Sequence, residues 1–484
     1  MLRHPVRPTA RGNFRRMLAR PGPILARLRT AAAGVATLAI SCGPGIPDVQ
    51  LVLLLSVDTL RADRLGAHGS LLGLTPHLDA LGAESIVFEA AYAPTAQTLP
   101  SVAGLLTGRY AQEFGVTGNL SPLPADAGTI ARRLRAADWT TAAVVSNWVL
   151  RREMGLDAGF DHFDDTLPEL EAARPMPERR GPDTTRAAIA ALDLCLPERR
   201  GHCLLWVHYQ DPHGPYTPPA PLRAQRLAVE RQRPDAQREL PILGRSFGGG
   251  GIPDYQVIDG RKDVAFYRAG YDGEVSLLDA EIGKLLDAIR TRGLWERTLV
   301  AFVADHGESL GEDDLWFGHG ERLSEAQVRV PLWIRVPGAP PGRRADVASL
   351  LDVAPTLESL LLGTSPARDS PGRDLLAPEA AQQSSTVYLA TLQGSRVRRI
   401  GVVDGDFKYL AELRDGSSWD GRLTPRNADD TDLTAPAPHV AGRLRARLEE
   451  LANRYDVSPE PRAQLDADDR RHLHALGYLE GDSP

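Results

Sequence analysis

Thr98 opens the stretch Thr98-Leu-Pro-Ser-Val-Ala-Gly-Leu-Leu-Thr-Gly108. Pro100 suits the first turn of a helix, where its missing N–H removes no bond. Val102, Leu105 and Leu106 then give that helix an apolar face. The Thr98 hydroxyl would stand at the helix N-terminus, where free N–H groups and the dipole favour an anion. Read locally, Thr98 is equally a plain helix cap. Three other polar clusters follow apolar runs: Asp58 after Leu51–Val57, His208 to His213 after Cys203, and Asp305-His306 after Thr298–Ala304. An Asp-His pair behind a buried strand offers an oxygen and an imidazole to one metal ion, although Asp-His-Gly is also an ordinary turn. The chemistry within reach of these residue types is attack by a hydroxyl on an electrophile beside a cation.

The spacing adds a resemblance. Pro100, Ser101, Leu105, Leu106, Thr107, Gly108, Arg109 and Tyr110 match the pattern of the sulfatase family of the alkaline phosphatase superfamily. In that family a Cys-x-Pro-Ser-Arg segment leads into a helix ending in Leu-Leu-Thr-Gly-Arg-Tyr. Here Thr98 replaces the cysteine that becomes formylglycine, and Val102 replaces the arginine. Threonine is the usual nucleophile in superfamily relatives that act on phosphate esters. The resemblance implies that Asp58, Asp305 and His306 hold one divalent cation, with Thr98 Oγ as a further ligand. A cation there would lower the hydroxyl pKa and screen an anionic ester. Thr59 stands where sulfatases carry a second aspartate, which moves the expected metal from calcium towards manganese or zinc.

Trp206-Val-His-Tyr-Gln-Asp-Pro-His-Gly-Pro-Tyr216 resembles the family's His-x-Pro-Tyr loop, which implies that His213 contacts the ester or protonates the leaving group. His319, in Phe317-Gly-His-Gly320, lies near the family's sulfate-binding lysine and joins Thr98 and His213 as a catalytic candidate. Asn147 takes the place of a second sulfate-binding lysine; Asn147 and His208 are the substrate-binding candidates. A second metal on Asp211, His213 and His319 is a weaker expectation. The lysines are Lys262, Lys284 and Lys408, and none lies in a matching motif, so the anion pocket is less cationic than a sulfatase's.

The elements that must position these residues alternate. Apolar strands at 51–57, 140–146, 203–209 and 298–304 are separated by helical patterns at 127–137, 182–196 and 266–289. This predicts an α/β fold with a mostly parallel sheet flanked by helices, and the resemblance makes it alkaline-phosphatase-like. Residues 220–251 read as a polar surface insertion. From about Val387 short strands and a helix over 440–454 suggest a small C-terminal α+β subdomain. The expected boundaries are 1–42, 48–380 and 381–484. Tyr271-Asp-Gly-Glu-Val275, Asp352-Val-Ala-Pro-Thr-Leu357 and Leu476-Gly-Tyr-Leu479 also match the family and read as scaffold.

The first 41 residues carry eight arginines and no acid, then the apolar run Ala31–Ile40 and Ser41-Cys42-Gly43. That is the layout of an export signal, too short to span a membrane as a stable helix. Leu38-Ala-Ile-Ser-Cys42 resembles a bacterial lipoprotein box, so attachment to a membrane through a lipid on Cys42 is expected, at the periplasm or outer surface. Without those arginines, acidic residues clearly outnumber basic ones, which argues against nucleic-acid binding. Cys195 and Cys203 read equally as a disulfide or as two buried thiols. The resemblance implies an exported metal-dependent hydrolase of sulfate or phosphate esters on small molecules, glycans or lipids. Alternatives are a phosphodiesterase or phosphoryl transferase of the same superfamily, and a lipid-anchored binding protein on a decayed hydrolase fold.

Overall fold

The computed structural model describes residues 48–455, apart from 172–175, 197–200, 246–248, 368, 381–384, 393–397 and 415–417. The expected signal and lipid segment 1–42, and the Leu476–Leu479 motif, lie outside the described residues. The strands run β1 Leu51–Val57, β2 Ile86–Tyr92, β3 Thr140–Val145, β4 His162–Asp164, β5 Glu169–Leu170, β6 Pro177–Glu178, β7 Cys203–Tyr209 and β8 Thr298–Ala304. Then come β9 Ser309–Leu310, β10 Trp316–Gly318, β11 Arg329–Arg335, β12 Gly342–Ser349, β13 Thr386–Ala390, β14 Arg399–Asp404, β15 Phe407–Arg414 and β16 Ser418–Pro425. The α-helices are α1 Pro76–Ala83, α2 Thr98–Thr107, α3 Ile130–Ala136, α4 Gly181–Cys195, α5 Ala220–Glu230, α6 Val264–Thr291, α7 Glu325–Val328, α8 Val353–Leu362 and α9 Pro438–Tyr455.

The central sheet has eight strands in the order β12-β2-β11-β8-β1-β7-β3-β4. β1 lies parallel between β7 and β8, with Val57 level with Tyr209 and Ala304. Every residue of β1, β7 and β8 is buried, which is why these segments read as unbroken apolar runs rather than alternating ones. Helix α4 packs on β3, β7 and α6, and α6 on α1 and α5; α2, α3 and α8 pack on one another. The level register has a direct consequence. Asp58, Gln210 and Asp305 are the first residues past three adjacent parallel strands, at the carboxyl edge where such sheets collect ligand groups. The backbone ladder reaches them, with Asp58 N–H donating to Tyr209 O and Asp305 N–H to Val57 O.

One strand departs from the expected pattern. β11 runs antiparallel to both β2 and β8, so the sheet is mostly, not wholly, parallel. The polar segment at 220–251 contains the eleven-residue helix α5, which packs on α6 rather than standing as a plain loop.

β13 to β16 form a four-stranded antiparallel sheet covered by α9. Helix α9 buries Ala441, Leu444, Leu448, Leu451, Ala452 and Tyr455, a stripe at helical spacing. The expected boundary at 381 falls just before β13, yet Tyr110 and Leu351 share this sheet's apolar core, and the described residues all belong to one compact unit. Cys195 and Cys203 form a disulfide, joining the end of α4 to the start of β7 and choosing between the two readings of that pair.

Candidate active site

Helix α2 begins at Thr98, and its cap residue is Gln97. Thr98 is therefore inside the first turn and is not the cap. Its Oγ1 lies 3.3 Å from His306 Nε2. The helix ends where Gly108, at φ +73°, returns its N–H to Gly104 O. A Cβ at Gly108 would also meet Pro355 Cδ at 2.8 Å, so glycine is needed for both backbone and space. The start is pinned to the sheet, because Ser101 Oγ donates to Asp305 O at 2.6 Å.

The anion cradle expected at this terminus is thinner than the sequence suggested. Asn119 Oδ1 accepts the Leu99 N–H at 2.9 Å, and Pro100 has no N–H. A positive partner must come from elsewhere.

It comes from the sheet edge. Asp58, Asp305 and His306, all fully buried, each offer one ligand atom, and these atoms lie within 4.8 Å of one another. This is the one such trio among the described residues. Asp58 Oδ1 and Asp305 Oδ2 are buried without a hydrogen-bond partner. Their ion-pair partners among the described residues are histidines: His306 Nε2 is 3.8 Å from Asp58 and 3.7 Å from Asp305, and His208 Nε2 is 3.7 Å from Asp58. Burial works to raise the Asp58 pKa, but His213, His208 and His306 outweigh it and hold the carboxyl well below its usual range. Burial and the neighbouring Asp58 charge push Asp305 well above that range. Two buried carboxylates and a neutral imidazole, with two oxygens unpartnered, fit a divalent cation of the borderline or hard class.

The ligands are oriented from behind. Asn147 Nδ2 donates to Asp58 Oδ2 at 2.5 Å, while Asn147 Oδ1 accepts the Val149 N–H at 2.9 Å, which fixes the amide. His208 Nδ1 lies 2.8 Å from Ser56 Oγ, and Ser56 in turn accepts Trp206 Nε1–H at 2.8 Å. His208 Nε2 lies 3.7 Å from Asp58 Oδ2. Asn147 and His208, expected to bind substrate, both lie against Asp58. His306 Nδ1 donates to Gly307 O at 3.0 Å, leaving the Nε2 lone pair directed at Thr98 and the trio. Burial, then His319, depresses His306 to about 4, so the ring is neutral near pH 7.

Asp305 Oδ1 accepts the His306 N–H at 2.6 Å and the Thr59 N–H at 3.2 Å. Thr59 takes φ +55°, uncommon for a β-branched residue and worth about 1–3 kcal/mol of strain. Its carbonyl is held by the Tyr271 hydroxyl at 2.8 Å. The residue that departs from the sulfatase pattern is thus clamped in a costly conformation beside Asp58.

The other candidate histidines form the approach. The His319 ring lies 4.5 Å from His306, centroid to centroid, and 5.2 Å from His213. Both His213 and His319 are partly exposed, whereas Thr98, Asp58, Asp305 and His306 are buried. His319 Nδ1 is 3.2 Å from Glu308 Oε1. Burial raises Glu308 to about 7, and its second oxygen is buried and unpartnered. The second metal trio does not assemble: Asp211 pairs instead with Arg180 at 3.7 Å. Asn119, Glu308 and Tyr271 were not identified from sequence as site residues. Glu308 lay in the Val303–Glu308 run, but its partner His319 is eleven residues away, and only the fold pairs them.

The sulfatase family model matches residues 50–364 of the chain. Over 266 residues the chain is 32% identical to choline-sulfatase of Rhizobium meliloti, covering 50% of this chain and 48% of that protein. The chain therefore spans about half the length of this relative. Among solved structures, one in complex with its substrate D-glucosamine-2-N,6-O-disulfate aligns at TM-score 0.67 and 20% identity, covering 86% of this chain and 99% of that one. The phosphonate monoester hydrolase of Silicibacter pomeroyi aligns at TM-score 0.63 and 21% identity, covering 84% and 96%.

Proposed function

Since the chain belongs to the sulfatase family, we propose that it hydrolyses sulfate or phosphate esters with Thr98 as nucleophile and one divalent cation on Asp58, Asp305 and His306. The observation that carries this reading is the Thr98 hydroxyl 3.3 Å from His306 Nε2, facing a trio with two unpartnered carboxylate oxygens. The cation, when bound, supplies charge neutralisation of the ester and a lowered hydroxyl pKa. Asp58 and Asp305 supply the negative charge that retains it, and Asn147 and His208 hold Asp58 in place. Thr98, its proton lost to solvent, forms the bond from Oγ1 to sulfur or phosphorus while the bond to the leaving oxygen breaks. His213 delivers a proton to that oxygen, releasing the alcohol. Water then displaces Thr98, giving inorganic sulfate or phosphate, or a phosphate monoester from a diester, and restoring the hydroxyl. His319, tied through Nδ1 to Glu308 and with its ring 4.5 Å from that of His306, would contact the ester from the more exposed side.

The lysines favour the phosphate arm. Lys408 is buried against Glu325 at 2.8 Å, and Lys284 pairs with Glu281 at 2.6 Å. A pocket whose cations are a metal and histidines, with a threonine nucleophile, suits phosphate mono- or diesters. The test is turnover of matched aryl sulfate, phosphate monoester and phosphodiester substrates with added manganese, zinc or calcium, beside Thr98→Ala. Thr98-dependent phosphoester turnover supports the phosphate arm, and Thr98-dependent sulfate turnover replaces it. No metal uptake and no turnover would move the protein to the binding-protein reading.

We also place the protein outside the cytoplasm, lipid-anchored at Cys42. The Cys195–Cys203 disulfide supports an oxidising compartment. Cys42→Ala should move the protein from the membrane to the soluble fraction; unchanged fractionation would count against the anchor.

A further inference from the structure

A second cluster of buried acids adjoins the site and takes no part in the chemistry above. Asp211 and Glu274 are 6% and 2% exposed, and Glu178 is half-buried. One guanidinium pairs with two of them: Arg180 is 3.1 Å from Glu274 and 3.7 Å from Asp211. Arg179 is turned away, onto Asp164 at 2.5 Å. Three carboxyl groups thus share one guanidinium and cannot all ionise, and burial pushes both Glu178 and Glu274 up to about 8.

Two acceptors here are unused. Asp211 Oδ2 is buried without a hydrogen-bond partner, and so is Gln210 Oε1, on a side chain only 5% exposed. Gln210 Nε2 meanwhile donates to Glu178 Oε2 at 3.4 Å, which fixes which end of the amide is open. Both residues line a cavity of about 10 Å³ bounded also by Glu178, Arg180, His213 and Glu274. That is room for roughly one water-sized group. The niche is joined to the reaction centre on two sides. His213 forms part of its wall, and Glu178 makes a backbone bridge to Asn147, the residue that holds Asp58.

We infer that this niche binds a primary ammonium group on the ester's alcohol portion, with Asp211 Oδ2, Gln210 Oε1 and Glu178 accepting its N–H donors. The inference rests on the ester-hydrolase reading for the location of the alcohol beside His213. Three observations select a primary ammonium. The open atoms are acceptors, so the group must donate. Three carboxyl groups share one guanidinium, so a bound cation is what would let the others ionise. The cavity holds one small group, so a trimethylammonium head is excluded by size. A second metal ion is disfavoured because, among the described residues, no second trio of ligand atoms converges as at Asp58.

The test uses the purified protein and three esters sharing one sulfate or phosphate group: 2-aminoethyl, ethyl and 2-(trimethylammonio)ethyl. The trimethyl compound carries the same charge but offers no N–H. The 2-aminoethyl ester should exceed both others in kcat/KM by about tenfold or more, the scale of charge-assisted hydrogen bonds in a buried site. Glu178→Gln and Asp211→Asn should each pull that ratio towards one. Calorimetry with ethanolamine gives a readout free of turnover, and binding should weaken in Glu178→Gln, a half-buried position suited to a folded variant. Equal kcat/KM for all three esters overturns the inference, as does a second equivalent of metal lost in Asp211→Asn. Ethanolamine binding without turnover of any ester keeps the niche and ends the hydrolase reading; turnover without amine preference does the reverse.

Discussion

Two clusters of carboxylates in this protein, one partly and one fully buried, handle their charge in opposite ways. Between α7 and the C-terminal sheet, Glu325 and Asp429 meet Lys408, which is fully buried, with Lys408 Nζ 2.8 Å from Glu325 and in contact with Asp429. Tyr92 adds a hydroxyl at 3.1 Å from Glu325. At the edge of the central sheet, Asp58 and Asp305 meet no lysine or arginine among the described ion pairs, only histidines, and each leaves an oxygen unpartnered. Buried charge is expensive unless paired. A cluster that carries its own counter-ion is a fastening between layers. A cluster that lacks one is completed from outside, which is what a metal site requires.

The contrast can be broken by mutation. The largest effect should come from Thr98→Ala, which removes the attacking oxygen while leaving the trio intact: activity should fall by about a thousandfold or more, with metal content near one per chain. Retained activity would remove Thr98 from the mechanism. Asp305→Asn should abolish both metal retention and turnover, read by metal analysis after dialysis, and full metal occupancy would show that the trio is not the site. Asn147→Ala acts one step back, and metal affinity should weaken by about 10–100-fold.

At the fastening, Lys408→Met should cost about 1–3 kcal/mol in denaturant unfolding, because it strands two partly buried carboxylates. Metal affinity of the folded fraction should stay within about twofold. A large loss of metal binding with little loss of stability would erase the distinction between the two clusters.

The smallest effect concerns pH. Asp352 is raised from 3.8 to about 6, chiefly by burial. The folded chain therefore holds a proton there that the unfolded chain releases, so this group's contribution to stability declines as pH rises from about 4 to about 6. Asp352→Asn lacks that decline, so its melting temperature relative to wild type should climb across that interval and then level off. A constant difference would mean that Asp352 does not titrate with unfolding.

Local sequence carried the strands well. β7 and β8 occupy the expected 203–209 and 298–304, because residues buried on both faces must be continuously apolar and so announce themselves. β11 and β12 were harder to read. β11 runs antiparallel among otherwise parallel neighbours, and Gly342–Ser349 is polar at its start because β12 is an edge strand. The ligand trio was legible because Asp58 and Asp305 each follow such an apolar run. The supports were not: Asn119, Tyr271 and Glu308 act on partners 11 to 212 residues away, and nothing in their neighbourhoods marks them.

By itself, the sequence determined which residue types stand at the ends of the central strands, and that a threonine replaces the family's cysteine. Those are local properties, set by hydrophobic period and spacing. Only the tertiary structure decided that Thr98 faces His306 rather than capping its helix, that Asn147 and His208 lie against Asp58, and that Asp211 joins Arg180 instead of a second metal trio. Those outcomes depend on strand register and on which buried charge finds a counter-ion, and both are settled across the fold rather than along the chain.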